Sequence, residues 1–252
     1  MLTTMKFFKM PEASHSRQVF QQWYRNTTPG RILQSIEASY LQNCLQLTYK
    51  QTILQVGPLG SEHVYIPEDF TKQFFTVSLQ GDDAASGSRR LIGHPSALPV
   101  ASCSIDVLIL PHVLEFEDDP QQVLREVDRV LKSEGKLFVI SFNPLSLRGL
   151  LQYLPRRSSF WHFNFLPHHR LLDWMTLLKF EARYHAGFCI TTAEVILAPN
   201  NLMQSSRAFL SLAYAVQGVK RTYTVIPIER SWRGAPGIFA GQIAETSLVH
   251  DD

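Results

Sequence analysis

Two stretches of the chain carry residue types that could do chemistry. The first is ILQVGPLGSEH, Ile53 to His63, where an apolar run ends in Gly57-Pro58-Leu59-Gly60. Glycines at such a place let the backbone turn tightly and approach a ligand. The second is LPHVLEFEDDP, Leu110 to Pro120, where His112 and Glu115 follow another apolar run. An imidazole there is a candidate general base or orienting group, or else a histidine that faces solvent or caps a helix. Glu115 reads as a structural contact to its own loop rather than a catalyst. His162, His168 and His169 are not spaced to put three ligands on one helical face, and no carboxylate joins them before Asp173. No metal site is expected from them.

Composition limits what those residues can serve. The chain has 252 residues, 45% hydrophobic and 18% charged, enough for a full core. A net charge of +2 gives no bulk electrostatic case for nucleic acid. Cys44, Cys103 and Cys189 are far apart, odd in number and without a CxxC pair. Neither a disulfide framework nor a cysteine zinc site is expected, which suits a reducing cytoplasm. The N-terminus MLTTMKFFKMPEASHSR lacks the apolar stretch of a signal peptide, and no uncharged run is long enough to span a bilayer. The expectation is a cytoplasmic protein with no integral membrane segment.

The elements that must position the candidate residues follow from periodicity. Residues 1–29 read as an aromatic N-terminal arm containing Phe20, Trp23 and Tyr24. Thr28 as cap and Pro29 in the first turn predict a helix whose apolar face carries Leu33, Ile36, Tyr40 and Leu41. Strands are predicted over Thr52–Val56, over Phe74–Leu79, ending at Leu91-Ile92, over Ile105–Leu110 and over Lys136–Phe142. Between the last two, Asp119, Pro120 and Gln122 start a helix that Gly135 ends. Beyond, the spacing predicts a helix over Arg170–Leu178, a strand near Ala182–Ile190, a helix near Leu202–Leu212 and a strand near Tyr214–Val219. Strands alternating with helices predict a single α/β domain: a doubly wound, Rossmann-like, mainly parallel seven-stranded sheet with helices on both faces. Its parts are a core over 30–145, a lid-like aromatic insertion over 146–170, the rest of the sheet over 171–228 and an irregular tail over 229–252. In such folds ligands bind at the carboxyl ends of the strands, which here are Gly57-Pro58, Gln80, His94, Pro111-His112 and Asn143-Pro144.

The segment Ser104–Ser146, SIDVLILPHVLEFEDDPQQVLREVDRVLKSEGKLFVISFNPLS, resembles the class I S-adenosylmethionine-dependent methyltransferases of the type 11 group, and a bacterial subfamily within it. Asp106, Leu114, Glu115, Asp119, Pro120, Glu126, Arg129, Gly135, Asn143 and Ser146 fall on that group's pattern in order, with LPV at 98–100 ahead of them. The resemblance implies a methyltransferase fold, S-adenosyl-L-methionine as cofactor and a small-molecule acceptor. It places Gln55, Gly57, Pro58, Leu59, Gly60, Gln80, His94, Leu110 and Pro111 at the cofactor, His112 at the reacting groups, and Asn143 and Trp161 at the acceptor.

The chain departs from the group at the cofactor. Gln55 stands for an acid, Leu59 and Ser61 for glycines, Gln80 for the ribose-binding acid, with Asp82 and Asp83 beyond it, and His94 for an aspartate near adenine. A neutral hydrogen bond is about half as strong as a charge-assisted one. An inactive relative that uses the fold as a binding or regulatory module is therefore the alternative. A nicotinamide-dependent dehydrogenase fits poorly, because the glycine pattern and the acid at strand two are missing. Phe160, Trp161, Phe163 and Phe165 either cover an apolar substrate or a membrane surface, or pack the insertion onto the sheet.

Overall fold

The structure, a computed structural model, describes residues 13–48, 50–57, 59–60, 62–78, 89–144, 146, 165–197 and 211–221. The chain divides into compact units at Met1–Thr222 and Tyr223–Asp252, and the described residues all belong to the first. Pro58, Gln80, Asp82, Asp83, Trp161, the body of the aromatic insertion and the tail lie outside the described residues.

The strands are β1 (Ile53–Val56), β2 (Phe74–Ser78), β3 (Arg89–Ile92), β4 (Ile105–Pro111), β5 (Leu131–Phe142), β6 (Phe180–Cys189), β7 (Glu194–Leu197) and β8 (Ala213–Lys220). They form one sheet in the order β3-β2-β1-β4-β5-β8-β6-β7. The first five run parallel, and β8 then pairs antiparallel with both β5 and β6. Strand order reverses between β1 and β4, which opens the crevice of a doubly wound sheet at their carboxyl ends. The expected fold class is thus present, with eight strands. The added strand is β7, a four-residue edge paired antiparallel to β6.

The central strands read as continuous apolar runs because both faces are covered. On one face, Ile53, Val107, Ile109, Phe138 and Ile140 pack with Leu33, Ile36, Tyr40 and Leu41 of helix α2 (Thr28–Cys44). On the other, Leu54, Val56, Leu108 and Leu110 pack with Val123, Leu124 and Val127 of α4 (Pro120–Val130). Leu171 and Met175 of α5 (His168–Leu177) join that second layer. The link from β1 to β2 is a single turn, α3 (Glu62–Tyr65), followed by a 3-10 helix over Glu68–Gln73.

Several expected boundaries move. The N-terminal arm contains a helix, α1 (Ala13–Asn26), which buries Phe20 and Tyr24 in the first core layer. The cap of α2 is Thr27 rather than Thr28: its Oγ1 accepts from Gly30 N at 3.2 Å and donates to Trp23 O at 2.7 Å. α4 starts as read, with Asp119 accepting from Gln122 N at 3.0 Å, but it ends at Val130 rather than Gly135. Leu131 already pairs with Ile105, and Glu134 takes a left-handed turn (φ 62°) ahead of Gly135. Lys220 Nζ caps the freed carbonyl of Leu131 at 3.1 Å and pairs with Asp128 at 3.1 Å. β6 spans Phe180–Cys189, two residues earlier at its start than the expected strand. The helix expected near 202–212 falls largely outside the described residues. Leu212 itself is not helical, bridging Phe188 O and Asn143 N with its own backbone.

Candidate cofactor cleft

A cleft of about 420 Å³, open to solvent, lies at the carboxyl edge of the parallel strands. Val56 and Gly57 line it from β1, Val77 and Ser78 from β2, Gly93 and Pro95 after β3, and Pro111, His112 and Val113 after β4. Arg17, Phe20 and Gln21 of α1 close it from the N-terminal side.

Of the residues expected at the cofactor, Gly57 and Pro111 border this cleft, as does His112. Gly57 has φ +86°, a conformation that glycine adopts without strain. Gln55 is fully buried and turned into the protein. Its Nε2 donates to Gly57 O at 2.8 Å and to Glu62 Oε1 at 3.0 Å, and its Oε1 accepts from the Tyr65 hydroxyl at 2.5 Å. Leu59 is 2% exposed and belongs to the core layer beneath α2, so it does not fill the cleft. Gly60 is held behind the loop: a Cβ there would meet Gln34 Nε2 at 2.5 Å. The loop amides are engaged internally, because Leu59 N and Gly60 N both donate to Glu62 Oε1, at 2.7 and 3.0 Å. Glu62 thus places an internal carboxylate where the loop would otherwise present two N–H groups.

The remaining candidates spread out. Leu110 is wholly in the core. The His94 side chain turns outward, bonding Ser96 Oγ at 2.7 Å and standing 3.7 Å from Glu117. Asn143 is buried past the end of β5, its carbonyl accepting from the Ser146 amide and hydroxyl in a closed turn.

His112 is the centre of a buried charge cluster. It sits just past β4 with φ 49°, its ring 4.3 Å from that of Phe142 and 5.1 Å from that of Phe20. Nε2 is 2.9 Å from Glu37 Oε1 and Nδ1 is 3.2 Å from Glu115 Oε1. Two carboxylate partners require both ring nitrogens to carry hydrogens, which makes the ring an imidazolium. Burial alone would lower its pKa, but the carboxylates of Glu37 and Glu115 outweigh burial and raise it from 6.5 to about 10. With no free lone pair, His112 cannot serve as the general base that its position after β4 suggested; the orienting role is what the geometry leaves. Glu37 also accepts from the Tyr24 hydroxyl at 2.5 Å, and Glu115 from Phe142 N at 2.8 Å.

Sequence reasoning missed Arg17, Phe20 and Gln21 as cleft residues, and Glu37 and Glu62 as partners. Phe20, Trp23 and Tyr24 do recur with helical spacing, the available sign that the arm was a helix with one face to bury. Among the described residues, no three His, Cys, Asp or Glu side chains converge as a metal site, and no helix is long and apolar enough to cross a membrane.

Residues 68–139 match the family pattern described as a methyltransferase domain. A Thermotoga maritima S-adenosylmethionine-dependent methyltransferase, described as a possible histamine N-methyltransferase, superposes with a TM-score of 0.58 at 18% identity. The match covers 82% of this chain and all of that one. The chain thus carries a methyltransferase-domain pattern over residues 68–139 and has the fold of S-adenosylmethionine-dependent methyltransferases. A methyltransferase of Archaeoglobus fulgidus shares the fold as well, with TM-score 0.57 at 13% identity over 81% of this chain and 99% of that one. In sequence, the methyltransferase-like chain is 41% identical over 139 residues to an uncharacterised protein of Escherichia coli K12, YafS, covering 54% of this chain and 55% of that protein. It is 31% identical over 133 residues to a malonyl-[acyl-carrier protein] O-methyltransferase of Coxiella burnetii, covering 50% and 47%. It is 33% identical over 102 residues to the ubiquinone/menaquinone C-methyltransferase UbiE of Cereibacter sphaeroides, covering 39% of each. The chain therefore spans about half or less of the curated relatives it matches.

Proposed function

We propose that the protein transfers a methyl group from S-adenosylmethionine to a small-molecule acceptor. The observation that carries this reading is the cleft between the exits of β1, β2, β3 and β4, in a chain whose residues 68–139 match a methyltransferase domain. Its walls are backbone-rich at Gly57, Gly93 and Pro111, and the Leu59 side chain, which replaces a glycine, points into the core rather than across the cleft. The altered loop therefore leaves the cleft unobstructed at position 59, which supports the cofactor reading. When bound, S-adenosylmethionine supplies a sulfonium-activated methyl group that a nucleophile displaces in line, with the S–CH₃ electron pair returning to sulfur.

The protein's task is then positioning and exclusion of water. Gly57, Pro111 and Val113 would flank the ligand's central part, Ser78 the ribose end, and Gly93 and Pro95 the base. Phe20 and Arg17 would cover it. His112, fixed by Glu37 and Glu115, would hold the β4 exit in place. Asn143, buried past the end of β5, would stand toward the acceptor.

Titration calorimetry and thermal melting with S-adenosylmethionine test this. Binding with a ligand-dependent rise in melting temperature is expected; no heat and no shift at millimolar ligand would overturn it. Turnover on any acceptor would exclude the binding-module alternative.

A further inference from the structure

A second groove, of about 340 Å³ and open to solvent, lies between α4 and α5. Gln121, Leu124 and Arg125 line it from α4, and Trp174, Leu177 and Leu178 from the end of α5. None of these residues borders the cleft at the strand exits. Leu177 is 81% exposed, although its helix buries Leu171 and Met175. Trp174 is half-buried, with the Arg170 guanidinium 5.7 Å from its ring centroid. Tryptophan and arginine carry much of the binding energy where proteins meet.

The charges around the groove are mixed. α4 pairs Glu126 with Arg129 at 2.8 Å and Asp128 with Lys220 at 3.1 Å. Outside those pairs, Arg125, Arg170 and Lys179 stand exposed against Asp118, Asp119 and Asp173. Among the described residues, the Arg125 guanidinium bonds Gln122 alone, at 3.4 Å, and Asp173 has no ionic partner. An anionic membrane or a strongly acidic protein meets repulsion and attraction alike on such a face. A second copy of the face can answer each charge with its opposite. A knob and a hollow on one face suit a two-fold contact, because there the same patch must fit itself.

We infer that the α4–α5 face is the contact of a two-fold homodimer, in which Leu177 of each copy enters the groove of the other and Arg125 of each faces Asp173 of the other. The inference does not depend on the methyltransferase reading, since the groove and the cleft share no residue.

Sedimentation velocity on the full chain, from about 1 to 100 µM, tests this. The expected result is a concentration-dependent dimer that Leu177→Asp weakens about tenfold or more. Arg125→Glu and Asp173→Lys chains should each dimerise severalfold less well alone. An equimolar mixture of the two should regain the dimer, because a pair with one copy of each has opposite charges at both contacts. A monomer across the whole range would overturn the inference. So would a dimer that Leu177→Asp leaves unchanged, or a mixture that regains nothing. A monomer that pellets with anionic vesicles through Leu177 would give the face to a membrane, and a monomer whose melting temperature falls on Leu177→Asp would show the face covered within one chain; either result would overturn it.

Discussion

His112 shows how far one residue's surroundings decide what its chemistry can be. After β4 of a methyltransferase-like chain, a histidine suggests a base; between Glu37 and Glu115 it is a charged strut. Its folded pKa, about 10, lies above the ordinary 6.5. A group raised in this way contributes its full stabilisation below the unfolded value and loses it as pH rises through the folded one. Denaturant midpoints should therefore fall between pH 7 and pH 10.5, and His112→Gln should flatten that fall while lowering stability at pH 7. Leu59 gives a second test at this scale. Restoring glycine to match the usual cofactor loop should not improve binding, because the side chain fills core rather than cleft. Leu59→Ala should cost about 2–5 kcal/mol in chemical denaturation, with the affinity of the folded protein little changed. The sequence showed that position 59 had lost its glycine. It could not show which way the leucine turned, because that depends on Gln34 holding Leu59 O at 2.6 Å from a different helix.

Among the elements, the α1–α2 corner matters most for the cleft. Gly30 lies where the two helices cross, and a Cβ there would meet Trp23 O at 2.4 Å and Tyr24 O at 2.6 Å, both backbone atoms. Gly30→Ala must push α1 away and should cost about 1–3 kcal/mol. Because α1 carries Arg17 and Phe20 to the cleft, ligand affinity should fall with stability, measured by melting and titration on the same protein. The central strands and α4 were legible because their apolar periods and the Asp119-Pro120 start are local signals. The N-terminal helix was less so, since Phe20 and Tyr24 find their partners in Phe116, Phe142 and Glu37, all distant in sequence. Strand β7 was missed for a related reason: EVIL is a short edge whose one neighbour is β6. Gln55, expected at the cofactor, instead donates to Glu62, which was not expected at all, and spacing along a chain carries no sign of such a pair.

At the scale of the whole molecule, the sheet has a buried parallel centre and two thin edges. β1, β4 and β5 are covered on both faces, whereas β3 and β7 expose Ile92 at 63% and Leu197 at 58%. Hydrogen exchange should be slowest in β4 and β5 and fastest in β3 and β7, and saturating ligand should slow the exits of β1 and β4 most. The antiparallel half, β8, β6 and β7, closes the domain beyond β5. There the Tyr214 hydroxyl donates to Leu166 O at 2.6 Å, while Asn143 and Ser146 close the turn after β5. The stretch 147–164 thus leaves and returns at two anchored points. Loop closure depends only weakly on length, so the sheet should accept replacements there of different size. On the proposed function, exchanging that segment should act like changing a cartridge: the acceptor that is methylated should change, while cofactor affinity at the exits of β1 and β4 stays the same.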